Sequence, residues 1–236
     1  MALAHKLRTI CSHTLVPCFV PADGIVIDVG ANIGAFSVSM ATEYHCQCFA
    51  IEPSPETFEK IPADNRLRKY CLAIAGSPGE VDLHIGEGSE STTLHRAGGE
   101  RFLATIRMPA RALDEFCRST GIDRIDVLKM DIEGEELAVL NSCGDDFLRS
   151  VGQVTVEFHE WNGQGTVADV RGIIRRMRSL GFWAFNIGRT TYCDVLFVNR
   201  RYMSRASFAA TWMSHWTPRV IQSLLRRLGV RRRNSA

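Results

Sequence analysis

Val26-Ile27-Asp28-Val29-Gly30-Ala31-Asn32-Ile33-Gly34 decides the fold: an apolar run breaks into a turn with glycines four apart, and Ala35-Phe36-Ser37-Val38 then opens a helix. A strand, turn and helix in this order turn free backbone N–H groups toward whatever lies over the turn. A second apolar run, Cys48-Phe49-Ala50-Ile51, ends in Glu52-Pro53. That is where the acid of a nucleoside-binding crossover accepts hydrogen bonds from ribose hydroxyls. Gly30 and Gly34 are expected to admit a ligand where a Cβ would block it. The plain alternative is a strand–turn–helix whose glycines serve packing alone.

The spacing narrows the ligand. A dinucleotide fingerprint, G-x-G-x-x-G, carries a middle glycine that admits the pyrophosphate, and D-x-G-x-x-x-G lacks it. Asp28 ends the strand where a phosphate would be repelled and an ammonium group attracted. Together these favour a cationic adenosine ligand such as S-adenosylmethionine over NAD.

At 236 residues, 45% of them hydrophobic, the chain fits one α/β domain with a sizeable core. Its eight cysteines are scattered, with no C-x-x-C, and read as reduced and mostly buried thiols. Cys46-Gln47-Cys48 has only His45 beside it, too few ligands for tetrahedral zinc. The first 21 residues lack a signal-peptide core, and no run reaches the 18 or so apolar residues of a membrane span, which points to the cytosol. Residues 200–236 hold nine arginines and no acid, which leaves −7 of the overall +2 for the first 199. The expected organisation is an extension over 1–20, a domain over 21–199 and a basic tail over 200–236.

Along the chain, helices are expected over 55–65, 112–120, 135–142 and 167–180, the last ended by Gly181. Strands are expected over 68–75, 80–85, 125–130, 151–158, 182–187 and 192–198. Residues 86–99 read as a mobile polar loop near a site. Strands alternating with helices predict a doubly wound, mainly parallel sheet with its site at the carboxyl ends of the strands. The last two strands are separated by only Gly188 to Thr191, too little for a helical crossover, so one of them runs antiparallel.

A second set of ionisable residues falls at such strand ends: Asp131 and Glu133 in Leu128-Lys129-Met130-Asp131-Ile132-Glu133-Gly134, and Glu157 and His159 in Val156-Glu157-Phe158-His159. An acid flanked by buried apolar residues is costly unless paired or used. Glu135 and Glu136, in the first turn of a helix, are expected only to favour its dipole.

With these residues in view, the chain resembles the FkbM family of S-adenosylmethionine-dependent methyltransferases. The resemblance runs over about residues 20–200 and is carried by residues 28–37, Glu52-Pro53-Ser54-Pro55-Glu56, Leu113-Asp114-Glu115-Phe116, residues 128–134, Glu157-Phe158-His159 and Leu180-Gly181-Phe182. It implies a class I methyltransferase fold, a Rossmann-like seven-stranded sheet with an antiparallel last strand. It also implies O-methylation of sugars, glycans, glycolipids or natural products. Asp28, Gly30, Asn32 and Gly34 would then surround the methionine part of the cofactor, Glu52 would bind the ribose, and Asp131 would approach the amino group or the methyl-transfer centre. Ala73-Ile74-Ala75-Gly76 offers adenine only backbone. Ser91-Thr92-Thr93 corresponds to a small hydroxyl cluster of the family and reads equally as a polar loop.

An alcohol needs a base as it attacks, and His159 is the first candidate by intrinsic pKa, with Asp131 or Glu133 next. Asp131, Glu133 and Glu157 could instead hold a divalent cation that acidifies the hydroxyl. Two other readings stay open, an NAD-dependent oxidoreductase and a non-catalytic cofactor-binding module. In the tail, Phe208, Trp212 and Trp216 recur every four residues; Leu224, Leu225 and Leu228 continue the apolar pattern past Pro218 among arginines. An interfacial helix on anionic membrane and docking of the tryptophans onto the domain both fit. Nucleic acid is not expected, since the body is acidic and no stacking module is visible.

Overall fold

In the computed structural model, which describes residues 4–86, 92–94, 102–160, 165–188 and 191–227, the chain opens with a tight hairpin. Its strands, β1 (Arg8–Ile10) and β2 (His13–Leu15), are joined by Cys11 and Ser12 alone. Both turn residues have positive φ, 44° and 67°, a backbone that two-residue hairpins prefer but that Asn and Gly usually supply. Three-residue strands carry no periodicity, so this hairpin leaves no trace in the sequence pattern.

The first half of the main sheet follows: β3 (Ile25–Val29), α1 (Ala35–Tyr44), β4 (Gln47–Ile51), α2 (Pro55–Lys60) and β5 (Leu67–Tyr70), with the three strands paired in parallel. In β3 every residue after Ile25 is buried, as an apolar strand covered on both faces should be. The second helix stops at Lys60, short of the expected Asn65, because Pro62 holds Ile61 extended (φ −64°, ψ 121°). The expected strand over 68–75 is two: the chain leaves the main sheet after Tyr70, and β6 (Ala73–Ile74) joins a separate one. That second sheet adds β7 (Gly79–Gly86), β8 (Thr92–Thr93) and β9 (Phe102–Arg111), in the order β6-β9-β7-β8. The ten-residue β9 is absent from the expectations above. Most of its side chains are exposed, so no apolar alternation marks it, and Pro109 argues against a strand. Ser91 and residues 87–90 and 95–99 of the polar loop lie outside the described residues.

The second half of the main sheet comprises α3 (Leu113–Ser119), β10 (Val127–Met130), α4 (Glu136–Ser142), α5 (Asp145–Ser150), β11 (Gln153–Val156), α6 (Val167–Ser179), β12 (Phe182–Asn186) and β13 (Val195–Asn199). The strand order is β12-β13-β11-β10-β3-β4-β5, and β13 runs antiparallel to both neighbours. This is the seven-stranded class I methyltransferase arrangement, with its last strand reversed as the short connection required. The largest buried cluster joins β3, β4, β10, β11 and β13 to α3, α4 and α6; each wholly buried Val, Leu, Ile or Phe there contributes about 1.5–3 kcal/mol. Thr166 and Asp169 cap α6 reciprocally, and Arg176 near its end donates to the last carbonyls of α4, Leu140 O and Cys143 O.

The terminal helix α7 (Arg205–Arg227) continues through Pro218. Its docking aromatic is Phe208, stacked on Trp183 at 4.5 Å, beside the buried Thr211, whose Oγ1 accepts from His5 N–H. Trp212 and Met213 are 46% and 56% exposed. Leu228 and Arg231 to Arg233 lie outside the described residues. Among the described residues no helix is long and apolar enough to cross a membrane.

Candidate active site

The carboxyl ends of β3, β4, β10 and β11 open onto one crevice of about 520 Å³, a size suited to a nucleoside-bearing ligand. At its floor the turn after β3 is stitched to β4, where Gly30 and Ala31 both donate N–H to Ile51 O at 3.0 Å. The acid that closes β4, Glu52, grips the same turn. Its Oε2 accepts from Asn32 N–H (2.8 Å), and its Oε1 accepts from Ser54 N–H and Thr57 Oγ1. Burial pushes the Glu52 carboxyl above the usual range, while those hydrogen bonds and Lys129 pull it back. Asn32 Oδ1 is buried with no partner among the described residues. Ala73 and Ile74 line the crevice without a polar side chain.

The glycines answer to the protein itself. A Cβ on Gly30, at φ +77°, would stand 1.7 Å from Asp131 O, and one on Gly34, at φ +81°, 2.9 Å from Ile61 Cγ2. Gly30 lines the crevice while packing on β10, and Gly34, outside the lining, packs on the end of α2. Asp28 is likewise withdrawn. It is wholly buried behind the turn, where Oδ2 accepts from Ser37 Oγ (2.7 Å) and Oδ1 faces Lys129 Nζ (3.2 Å). Asp131 lines the crevice and Asp28 does not.

Lys129 is the residue that sequence reasoning passed over here. It points from β10 beneath the turn, donates to Gly30 O and lies 3.9 Å from Asp131 Oδ2. Burial acts to lower its pKa, but Asp28, Asp131 and Glu52 outweigh it and raise the value, so the ammonium stays charged. Its alternation in Leu128-Lys129-Met130 was the available signal, since a lysine inside an apolar strand needs a buried partner.

Opposite the glycine turn, His159 is 8% exposed and lies among carboxylates. Its Nδ1 is 2.9 Å from Glu136 Oε1, and its Nε2 is 3.4 Å from Glu133 Oε2 and 3.7 Å from Asp131 Oδ1. Burial works to lower its pKa, yet Glu136, Glu133 and Asp131 raise it to about 9. Glu133 moves up to about 7, chiefly by burial. Asp131, against its own burial, is held down at about 2 by His13, Lys129 and His159. Glu136 is not the solvated dipole partner expected of it. It is 1% exposed and accepts from Ile132 N–H and Gly134 N–H as well as facing His159. Glu135 caps Gly76 N–H at 3.3 Å. Glu133 adopts φ +52°, rare for a residue with a Cβ, and Thr93 of β8 donates to its carbonyl at 3.0 Å.

Asp131, Glu133 and Glu157, the carboxylates expected to share a cation, do not form one donor set. Asp131 belongs to two, one with His13 and Glu157 and one with Glu133 and His159, the donor atoms of each lying within 4.8 Å of one another. His13 enters from β2, which Asp194 of the β12–β13 connection secures by accepting from Thr14 N–H and Oγ1. Gln153 clamps the next residue, Val16, at both its N–H and its C=O.

Residues 28–183 match the model of the methyltransferase FkbM domain. Among curated proteins, the chain is 28% identical over 142 residues to the hexuronic acid methyltransferase AglP of Haloferax volcanii, covering 58% of this chain and 56% of that one. It is 26% identical to the 2-O-methyltransferase NoeI of Sinorhizobium fredii, over 50% of this chain and 56% of that one. With the methyltransferase sdnD of Sordaria araneosa the identity is 26%, over 61% of this chain and 69% of that one. The chain thus spans just over half the length of the first two relatives.

Proposed function

Since the chain belongs to the FkbM methyltransferase family, we propose that it transfers the methyl group of S-adenosylmethionine to a hydroxyl of a sugar, a glycan, a glycolipid or a natural product. One observation carries the reading. The turn and ribose-side acid of a nucleoside site, Gly30 to Asn32 and Glu52, face a buried imidazole–carboxylate cluster across a single crevice. The names of two relatives, one for hexuronic acid and one for 2-O-methylation, support a hydroxyl on a sugar. NAD fits less well, because the turn lacks the glycine a pyrophosphate needs and Lys129 is spent on Asp28 and Asp131.

In the proposed reaction the acceptor oxygen attacks the methyl carbon in line with sulfur. The C–S electron pair stays on sulfur, leaving S-adenosylhomocysteine, and the acceptor's proton goes to the protein. Protein groups chiefly hold the two reacting atoms in line and exclude water. Asp131, ionised and facing the crevice, suits either the amino group of the cofactor's methionine part or the methyl-transfer centre, and Asn32 Oδ1 is an acceptor left free for the amino group. The proposed acceptor of the proton is the pair His159 and Glu133, supported by their 3.4 Å separation. With His159 charged by three carboxylates, Glu133 is its proton-accepting member, and a base near pH 7 is matched to its task.

His159→Ala is expected to lower kcat by about 10²–10⁴ while S-adenosylmethionine Kd changes less than about threefold. The wild type is expected to show a rise of kcat through pH 7, set by burial of Glu133 and by His159, Asp131, Glu136 and Glu157 around it, and Glu133→Gln is expected to lose that rise. Unaltered turnover in both variants would remove the pair from proton transfer. If labelled cofactor binds but no hydroxylated acceptor gains a methyl group, the protein is a binding module instead.

Glu52→Gln tests the cofactor half. Loss of a charged acceptor for the ribose should raise S-adenosylmethionine Kd by roughly tenfold to a hundredfold, corresponding to about 1.5–3 kcal/mol. Glutamine keeps one oxygen for Asn32 or Ser54, so the melting temperature reports separately on the turn. Isothermal titration giving the wild-type Kd would exclude Glu52 from the ribose.

A further inference from the structure

His13 is 1% exposed, yet it makes no hydrogen bond of ordinary length to a described residue. Its Nδ1 has no partner among the described residues, and its Nε2 stands 3.6 Å from Asp131 Oδ2. A buried imidazole whose Nε2 lacks a close partner costs free energy that a ligand at Nε2 could return. The 3.6 Å separation is long for a hydrogen bond, whose usual span is about 2.7–3.2 Å. It matches two donors on one ion, which at arms of about 2.1 Å and an angle near 115° lie about 3.5 Å apart. Glu157 supplies a third donor atom within 4.8 Å of the other two.

Charge points the same way. Four carboxylates line the crevice, and Lys129 is the one lysine or arginine among its lining residues. Next to His13, Cys11 and Ser12 both take positive φ, a left-handed backbone costly for residues with a Cβ.

We propose that His13, Asp131 and Glu157 bind one divalent cation of the Mn²⁺ or Zn²⁺ class, with open positions for the acceptor's hydroxyl. An imidazole with two carboxylates suits these ions, whereas Mg²⁺ and Ca²⁺ favour oxygen donors throughout. The role given to the open positions rests on the methyl-transfer reading; the binding of the ion does not. Asp131 has one oxygen toward each side, Oδ2 toward His13 and Oδ1 toward His159. A hydroxyl made acidic by the ion would thus stand beside the pair that takes its proton.

The test titrates metal-stripped, full-length protein with Mn²⁺, reading free Mn²⁺ by electron paramagnetic resonance, for the wild type, His13→Ala and Glu157→Gln. Near-UV circular dichroism checks folding, and Zn²⁺ is added as a competitor. The wild type should bind one Mn²⁺ per chain, displaced by Zn²⁺, and each variant should weaken binding at least tenfold. No saturable Mn²⁺ binding in the wild type, or wild-type affinity in a folded His13→Ala or Glu157→Gln protein, overturns the site. Should His13→Ala not fold, Glu157→Gln decides alone. Methyl transfer measured with and without chelator separates the two readings. Mn²⁺ bound at His13 with no transfer to any hydroxylated acceptor leaves the ion site and sinks the function. Chelator-resistant transfer with no Mn²⁺ binding does the reverse.

Discussion

Gly30→Ala is expected to yield no folded protein at 37 °C. The new methyl carbon would sit 1.7 Å from Asp131 O and 2.8 Å from its carbonyl carbon, both backbone atoms of the neighbouring strand end. No rotamer change relieves an overlap with backbone. Either β3 and β10 separate at the carboxyl end, or the turn abandons φ +77° and loses its two hydrogen bonds to Ile51 O. The left-handed backbone alone costs an L-residue about 1–2 kcal/mol, and the overlap adds several more. The sum reaches a large part of the roughly 5–15 kcal/mol by which domains are stable. Gly181→Ala is the control, since Gly181 also has positive φ (+99°) but nothing within 4 Å of its would-be Cβ. It should cost only the backbone share, a few degrees of melting temperature. Equal melting temperatures for the two variants would refute the packing account of Gly30.

Lys129→Met is expected to cost about 3–5 kcal/mol, the range found when one member of a buried ion pair is removed and the other is stranded. Asp28 has no exposed surface, and once Lys129 is gone its carboxylate keeps, among the described residues, the hydroxyl of Ser37 alone. Methionine replaces the lysine stem with little loss of packing, so the deficit measures charge. Adding Asp28→Asn to Lys129→Met should restore part of the stability, leaving the share owed to Asp131 at 3.9 Å. Urea unfolding of the four proteins of this cycle gives the coupling directly. A double variant no more stable than Lys129→Met would mean that Asp28 is not what Lys129 neutralises. Cofactor binding should suffer as well, because Lys129 also holds Gly30 O.

The main sheet was legible because its strands are short apolar runs bounded by turn signals, a pattern that burial on both faces imposes. The reversed last strand was legible from connection length alone. What escaped the sequence depended on partners distant in the chain. Cys11-Ser12 is an improbable hairpin turn by composition, and it forms because Asp194 and Gln153, at the far side of the sequence, hold the strand after it. Glu136 looked like a surface acid at a helix start until β11 brought His159 to it. Asp28 and Lys129 lie on adjacent strands in register, so each hides the other's charge. Among the site residues, Glu52, Asp131, Glu133, Glu157 and His159 could be placed at the crevice because strand ends locate them. His13 could not, since nothing in Ile10 to Leu15 marks a strand end of the main sheet.

The attachment of β2 to Asp194 sets an order of events during synthesis. β3, α1 and β4, with Glu52, can assemble while the ribosome is still making the second half of the chain. His13 is made about 180 residues before Asp194, and its strand must wait for Gln153 and then for the β12–β13 connection before it is held on both counts. The β3–β4 side of the crevice is thus synthesised before β10 and Lys129 arrive to hold its turn, and the contacts that fix the His13 strand, spanning about 180 residues, make that final step the slow one. A chain cut before Asp194 would keep β3, β4 and β10 yet lack the carboxylate that holds Thr14 beside His13.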